Sequence, residues 1–249
     1  MPCAPPRLLA ISPRVTATAD GLSLVVFAYN ESESVPHVLP EILAWLRARE
    51  TPWELVFVDD GSTDGTLALA REVLGDDARC RAFSLGANRG IGGALKAGVA
   101  SATMPWVTFL PCDGQIPVAE IGVLEAAATE HGADVVFSVY RNRDDGALRK
   151  VLSAGVRGLI RAVHGVTMQS DGPYLFRRAL FDARELEPDT FFLNFEFPIR
   201  VLRRGVRSAV TTIECVPRQR GVSKSARFKV VARVARDLVG LRIRLARGA

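Results

Sequence analysis

Three polar segments each follow a short apolar run, and each carries residue types that bind nucleotides or cations. Asp59-Asp-Gly-Ser-Thr-Asp-Gly65 follows Trp53–Val58. A carboxylate there can accept hydrogen bonds from a ribose hydroxyl or a base N–H. The same residues also suit a strand-to-helix turn, with Asp and Ser as caps and Gly supplying positive φ. Asp113, in Cys112-Asp-Gly-Gln115, follows Trp106–Leu110. It can take a divalent cation that in turn holds a diphosphate, or it can belong to a plain turn. Asn30 and Glu31 follow Leu22–Ala28. Near the C terminus, Arg218-Gln-Arg-Gly-Val-Ser-Lys224 sets cations around a glycine. Arg and Lys so placed can fold over phosphate oxygens, the alternative being a basic surface turn.

These segments need elements that bring them together. Leu22–Ala28, Trp53–Val58, Trp106–Leu110 and Asp134–Val139 read as strands, and Ala82–Leu85 as a weaker one. Val35–Arg49, Thr66–Leu74, Gly90–Ala102 and Val118–His131 read as the helices between them. This alternation predicts a mostly parallel central sheet flanked by helices, an α/β Rossmann-like architecture. Ligands of such sheets sit beyond the carboxyl ends of the strands, where Asn30/Glu31, Asp59/Asp60 and Asp113 all fall. Beyond Tyr140 the rhythm breaks. Helices are expected over Leu148–Val163, Leu193–Arg204 (despite Pro198) and Lys229–Ala246, and strands over Gly172–Arg178 and Val210–Val216.

With 249 residues and 48% hydrophobic content, the chain can bury a substantial core. Its formal charge of +5 suits an anionic ligand or surface without choosing between them. The basic residues lack the aromatic interleaving of a nucleic-acid site, so no nucleic-acid partner is expected. Cys3, Cys80, Cys112 and Cys215 are scattered, which argues for inert free thiols and a reducing, cytoplasmic setting. No apolar run approaches the roughly 18–20 residues needed to span a bilayer. The division expected is a flexible arm over residues 1–20, one domain over 21–228, and a basic amphipathic helix over 229–249. That helix interleaves Arg233, Arg236, Arg242 and Arg244 with Val234, Leu238, Val239 and Ile243. It can lie peripherally on the anionic inner face of a membrane, or pack on the domain or on the partner of a homodimer.

Gly86-Ala-Asn-Arg-Gly-Ile-Gly92 is similar to the glycine-rich turn of short-chain dehydrogenases. It follows the third strand rather than the first, however, and the chain holds no Tyr-x-x-x-Lys, so that reading is set aside. Taken in order, Ala28-Tyr-Asn-Glu31, Val58-Asp-Asp-Gly-Ser-Thr-Asp-Gly-Thr66, Asn88-Arg-Gly-Ile-Gly-Gly-Ala94 and Asp113-Gly-Gln115 resemble the family 2 glycosyltransferases of the GT-A fold. Within that family the chain resembles the dolichyl- or polyprenyl-phosphate mannose synthase branch. The resemblance implies inverting transfer of a sugar from a GDP- or UDP-sugar to a polyprenyl phosphate. A soluble transferase with a small-molecule or saccharide acceptor, and a non-catalytic sugar-nucleotide-binding domain, remain as alternatives.

The resemblance also implies roles for individual residues. Ala28, Tyr29, Asn30, Glu31, Asp59 and Asp60 would hold the nucleoside, with Asn88, Gly90, Ala94, Cys112 and Gln115 lining the nucleotide site. Asp113 would hold Mg2+ or Mn2+ as the surviving half of an Asp-x-Asp motif whose first position is Pro111. Arg218, Arg220, Ser223 and Lys224 would bind phosphate, Arg218 and Lys224 with a catalytic part. Glu196 falls where the family carries its acceptor-side acid; it would serve as general base or bind metal or acceptor, the alternative being a solvated helix residue. Many relatives carry Asp where this chain has Met168.

Overall fold

The computed structural model describes residues 18–141, 147–186, 191–217 and 228–246. Five βα units lead the chain: β1 (Leu22–Ala28), α1 (Val35–Arg47), β2 (Trp53–Asp59), α2 (Thr66–Leu74), β3 (Cys80–Ser84), α3 (Gly90–Ser101), β4 (Trp106–Pro111), α4 (Glu120–His131), β5 (Val135–Tyr140) and α5 (Ala147–His164). Then come β6 (Leu175–Arg177), a 3-10 turn at Arg178–Leu180, α6 (Leu193–Arg203), β7 (Ser208–Ile213) and α7 (Phe228–Ala246).

The sheet order is β3-β2-β1-β4-β6-β5-β7. Strands β1 to β4 pair in parallel, as do β5 and β7, while β6 runs antiparallel to both β4 and β5. The mostly parallel sheet expected from the sequence is therefore present. Its one antiparallel member has only three residues and separates β4 from β5, which no sequence rhythm signals. The expected strands 172–178 and 210–216 correspond to the shorter β6 and to β7, which begins two residues earlier.

Each strand divides its side chains between two cores because successive residues point to opposite faces. Leu22, Leu24 and Val26 of β1 pack with α1, α2 and α4. Val25 packs on the other face with Val56, Val107 and Phe109, beneath Ala94, Leu95 and Val99 of α3 and Leu193, Phe197 and Val201 of α6. A third cluster joins α5, α6 and α7 through Ile160, Ile199, Val234, Leu238 and Leu241. Met168 is buried in that cluster among apolar neighbours.

Gly98 is where α3 crosses β1 at close range. A Cβ there would lie 2.3 Å from Val25 Cγ1. Among described residues, no helix is long and apolar enough to cross a membrane. Thr18, inside the stretch read as an arm, is fully buried. Its hydroxyl donates to Glu125, whose carboxylate also takes Arg49 at 2.6 Å.

At the amino ends of the strands, Glu54 is buried and gathers Ser23 Oγ (2.6 Å), Thr103 Oγ1 (2.9 Å) and the Arg81 guanidinium (2.7 Å). Burial alone would raise its pKa, but the Ser23 and Thr103 hydrogen bonds and the Arg81 charge bring it below the ordinary 4.5. A depressed carboxylate contributes stability above its unfolded pKa, and that stability is lost as pH falls through the folded value. Glu54→Gln is expected to flatten the stability profile below pH 4.5 in urea titrations across acid pH. Gly98→Ala is expected to overpack the α3–β1 contact and cost about 1–3 kcal/mol in the same assay at pH 7.

Candidate functional site

The chain runs outward from β1 to β2 and β3, then returns to lay β4 on the other side of β1. That reversal opens a crevice between the carboxyl ends of β1 and β4, where open α/β sheets take their ligands. The turns after β1, β2 and β4 meet there. Asp60 N–H donates to Ala28 O at 2.8 Å, and Cys112 N–H donates to Phe27 O at 2.9 Å.

The first two turns are laced together side chain to backbone. Asn30 has φ 53°, the only positive φ of a non-glycine residue among those described. Asn tolerates this left-handed conformation better than most residues. Its Oδ1 accepts Thr63 N–H at 2.9 Å, while its own N–H donates to Ser62 Oγ at 2.9 Å. Glu31 N–H donates to Thr66 Oγ1 at 2.9 Å, and Ser32 N–H donates to Asp64 Oδ2 at 3.1 Å. Ser62, Thr63, Asp64 and Thr66 thus fix where Asn30 and Glu31 sit, a role toward the β1 turn that the local sequence names for none of the four. The signal available for them was a run of small hydroxyl and carboxylate residues, Ser62 to Asp64 between two glycines and Thr66 just after the second, the composition of Asx and ST turns.

The acidic pair does its structural work in two directions. Asp59 is 2% exposed and accepts Ser62 N–H through Oδ1 at 3.1 Å, closing its own turn. Asp60 is 5% exposed and accepts Arg89 N–H at 2.7 Å and Gly90 N–H at 2.9 Å, capping the start of α3. Burial pushes the Asp60 carboxyl up and the Asp59 charge adds to this, against the pull of the two backbone N–H groups. The first free N–H groups of α3 are therefore already taken by a carboxylate of the same chain. Gly90 N–H also donates to Asn88 Oδ1 at 3.1 Å. This is a further reason to discard the dehydrogenase reading, in which that helix end would receive a pyrophosphate. Gly61 lets the two turns close up, since a Cβ there would stand 2.5 Å from the Ala87 carbonyl carbon.

Ala94 is fully buried in the core one turn into α3, and Asn88 is exposed at its entrance. Asp113 and Gln115 are half-buried, and Asp113 Oδ1 accepts Gln115 N–H at 3.1 Å. Gln115 O in turn accepts Val216 N–H at 2.8 Å, which brings the segment after β7 to the crevice. Burial pushes the Cys112 thiol up to about 12 and the Cys80 thiol up to about 11, so both are inert at neutral pH. Arg218, Arg220, Ser223 and Lys224 lie outside the described residues.

Glu196 lies in the first turn of α6 with no exposed surface, so it is not a solvated helix residue. Its Oε1 accepts Arg200 Nε at 2.9 Å, and Oε2 faces an Arg244 guanidinium nitrogen at 3.4 Å.

Among the described residues, no group of three or more His, Cys, Asp or Glu is arranged to hold a metal ion. Asp113 offers one carboxylate at the end of β4, without the second member of an Asp-x-Asp pair, since position 111 is Pro111. Mg2+ commonly keeps several waters and is bound through one or two carboxylates together with substrate phosphates. The donor set therefore fits a cation completed by a diphosphate, and does not fit an all-protein cage. Asp60→Ala is expected to free the Arg89 N–H, to leave the Gly90 N–H only its bond to Asn88, and to cost about 1 kcal/mol, with faster amide exchange at the start of α3 as the local readout.

Comparison with known proteins agrees with this geometry. Residues 23–186 match the family model described as glycosyl transferase family 2. The undecaprenyl-phosphate 4-deoxy-4-formamido-L-arabinose transferase of Pectobacterium carotovorum is 36% identical over 165 residues, covering 65% of this chain and 50% of that protein. Its counterpart from Proteus mirabilis matches to the same extent. The chain thus spans about half the length of these curated relatives. Among solved structures, glucosyl-3-phosphoglycerate synthase of Mycobacterium tuberculosis superposes with a TM-score of 0.66 at 20% identity, covering 90% of this chain and 79% of that one. Mannosyl-3-phosphoglycerate synthase of Rubrobacter xylanophilus gives 0.63 at 17% identity, covering 92% and 74%. The mycobacterial enzyme has been crystallised with Mn2+ and uridine diphosphate, and also with Mg2+ and uridine diphosphate. The sheet, the acidic turns at its switch point and the matched residues together establish that this chain belongs to glycosyl transferase family 2 and has the GT-A fold.

Proposed function

We propose that the protein is an inverting glycosyltransferase that moves a sugar from a nucleoside diphosphate sugar to a polyprenyl phosphate. The observation that carries this is the meeting of the β1, β2 and β4 turns, with Asn30, Asp59, Asp60 and Asp113, where the strand order reverses between β1 and β4. The acceptor class rests on the undecaprenyl-phosphate transferases to which the chain is similar.

The nucleoside is held by Ala28–Glu31 and the acidic pair. A carboxylate oxygen has two lone pairs, so Asp59 and Asp60 keep capacity for a ribose hydroxyl or base N–H after capping their turns. Asn88, Gly90 and Ala94 shape the neighbouring wall, and Cys112 and Gln115 border the phosphates. Asp113 is the residue that would hold Mg2+ or Mn2+; a bound cation supplies positive charge against the diphosphate. Arg218, Arg220, Ser223 and Lys224 bind phosphate oxygens. Charge placed where negative charge develops lowers the barrier to departure of the diphosphate. An acceptor phosphate is ionised at pH 7 and attacks the anomeric carbon without needing a strong base.

The outer helix supports a membrane-borne acceptor. Val234, Leu238 and Leu241 of α7 are buried against the domain. Val239 and Ile243 are 48% and 47% exposed, with Arg236 and Arg242 also outward. A basic, apolar outward face of this kind suits an anionic lipid surface at the inner membrane.

Calorimetry with UDP, GDP, CDP and dTDP, each with and without Mn2+, tests the donor site. One base is expected to bind selectively and more tightly with Mn2+, and Asp113→Ala is expected to lose the metal-dependent part. Failure to bind any of them removes the transferase reading. With the donor base known, transfer to undecaprenyl phosphate in anionic vesicles tests the acceptor. Transfer only to a soluble acceptor such as phosphoglyceric acid would replace the lipid.

A further inference from the structure

Helix α6 carries an aromatic segment to the ligand edge of the sheet. Its last residue, Arg203, is followed four positions on by Arg207, whose carbonyl accepts Asp134 N–H at 2.8 Å beside the start of β5. That end of α6 therefore lies at the amino ends of the parallel strands. Midway along, Phe197 stacks on Tyr174 with centroids 5.3 Å apart and lies 4.9 Å from Phe176. Tyr174 in turn meets Phe109 of β4 at 4.7 Å. With one end at the amino edge and its middle on β6, the helix starts at the carboxyl edge. It shares its face of the sheet with α3. The start of α3 stands over the nucleoside turns, and the start of α6 stands across β4 from it.

Phe191, Phe192 and Phe195 lie at that start. Phe192 is 3% exposed and packs inward with α5 and α7. Phe191 is 52% exposed, the most of the large hydrophobic residues described. Its ring meets the half-buried Phe195 ring edge to face at 5.8 Å. Glu196, next in the chain, brings no charge to this surface. It is wholly buried, and its carboxylate faces Arg200 and Arg244. The two rings thus form an uncharged ledge beside the β4 turn.

Apolar surface left in water at a ligand edge marks a place where something apolar binds. Two Phe side chains bury at most about 500 Å². A stable protein partner needs about 800 Å² on each side. The ledge suits a narrow hydrocarbon chain instead, and Phe lacks the O–H or N–H with which Tyr and Trp keep one end wet. We propose that Phe191 and Phe195 bind the isoprene units next to the phosphate of the acceptor. This rests on the polyprenyl phosphate acceptor proposed above. The phosphate stands at the crevice, and its hydrocarbon leaves over the start of α6, on the side of β4 away from the nucleoside.

The test uses the whole chain with its preferred nucleoside diphosphate and Mg2+. Calorimetry reads the binding of farnesyl phosphate, a soluble prenyl phosphate, and of methyl phosphate, which has no chain to place. The wild-type chain is expected to bind farnesyl phosphate about tenfold more tightly. Phe191→Ser changes an exposed side chain and leaves the core intact. It is expected to weaken farnesyl phosphate about fivefold or more and to leave the nucleoside diphosphate affinity unchanged. Phe191→Leu is expected to restore most of the loss. Unchanged farnesyl phosphate affinity in Phe191→Ser overturns the proposal. If that variant instead loses only cosedimentation with phosphatidylglycerol vesicles, the ring is a bilayer anchor, and the proposal is again overturned. A wild-type chain that binds a nucleoside diphosphate but no farnesyl phosphate is a different outcome, which sinks the polyprenyl phosphate reading itself.

Discussion

Strand β1 is hydrogen-bonded on both sides to parallel partners, β2 along its full length and β4 along nearly all of it. Parallel pairing forces the carboxyl ends of all three strands to one edge, and the crossover helices must then lie on the faces. Everything at the candidate site follows from that constraint. Ala28 pairs with Asp59, and Phe27 with Pro111, so the residues after them emerge within hydrogen-bond reach of one another. Leu22, Leu24, Val25 and Val26 are all fully buried, which fixes the register, because a slip of one residue would exchange the two cores.

The carboxylates at this edge answer two demands at once. Buried polar groups must be hydrogen-bonded, and here Asp59 and Asp60 satisfy backbone N–H groups of the β2–α2 turn and of α3. The same bonds hold the carboxylates rigidly before any ligand arrives. Pre-organisation of this kind lowers the ordering cost of binding. The choice between a structural turn and a nucleotide contact, which local sequence leaves open for Asp59-Asp60, is therefore not a choice between exclusive roles.

A different economy governs the second half of the chain. Helix α6 has apolar residues on two faces, Leu193, Phe197 and Val201 toward the sheet and Phe192 and Ile199 toward α5 and α7. A helix buried on both sides has little solvent-facing surface for charge, so Glu196 and Arg200 neutralise each other within it. The outer helix α7 then buries one stripe and leaves another outward, which is how one segment both packs on the domain and presents Val239, Ile243, Arg236 and Arg242 to the surroundings.

The sequence by itself determined the βα rhythm through Tyr140, the acidic turns at the strand ends and the family signature from Ala28 to Gln115. Those features are written in local periodicity and in short runs of contiguous residues, so they are visible without knowing what packs on what. Tertiary structure alone decided that β6 would slip between β4 and β5, since a three-residue strand is specified by its partners and not by its own pattern. It alone decided that Ser62, Asp64 and Thr66 would brace the Asn30 turn across more than thirty residues of chain. It also decided that Glu196, which reads locally as an exposed helical acid or a catalytic one, would be buried against Arg200 and Arg244. Burial and pairing at long separation are properties of the packed chain, and no window of neighbouring residues contains them.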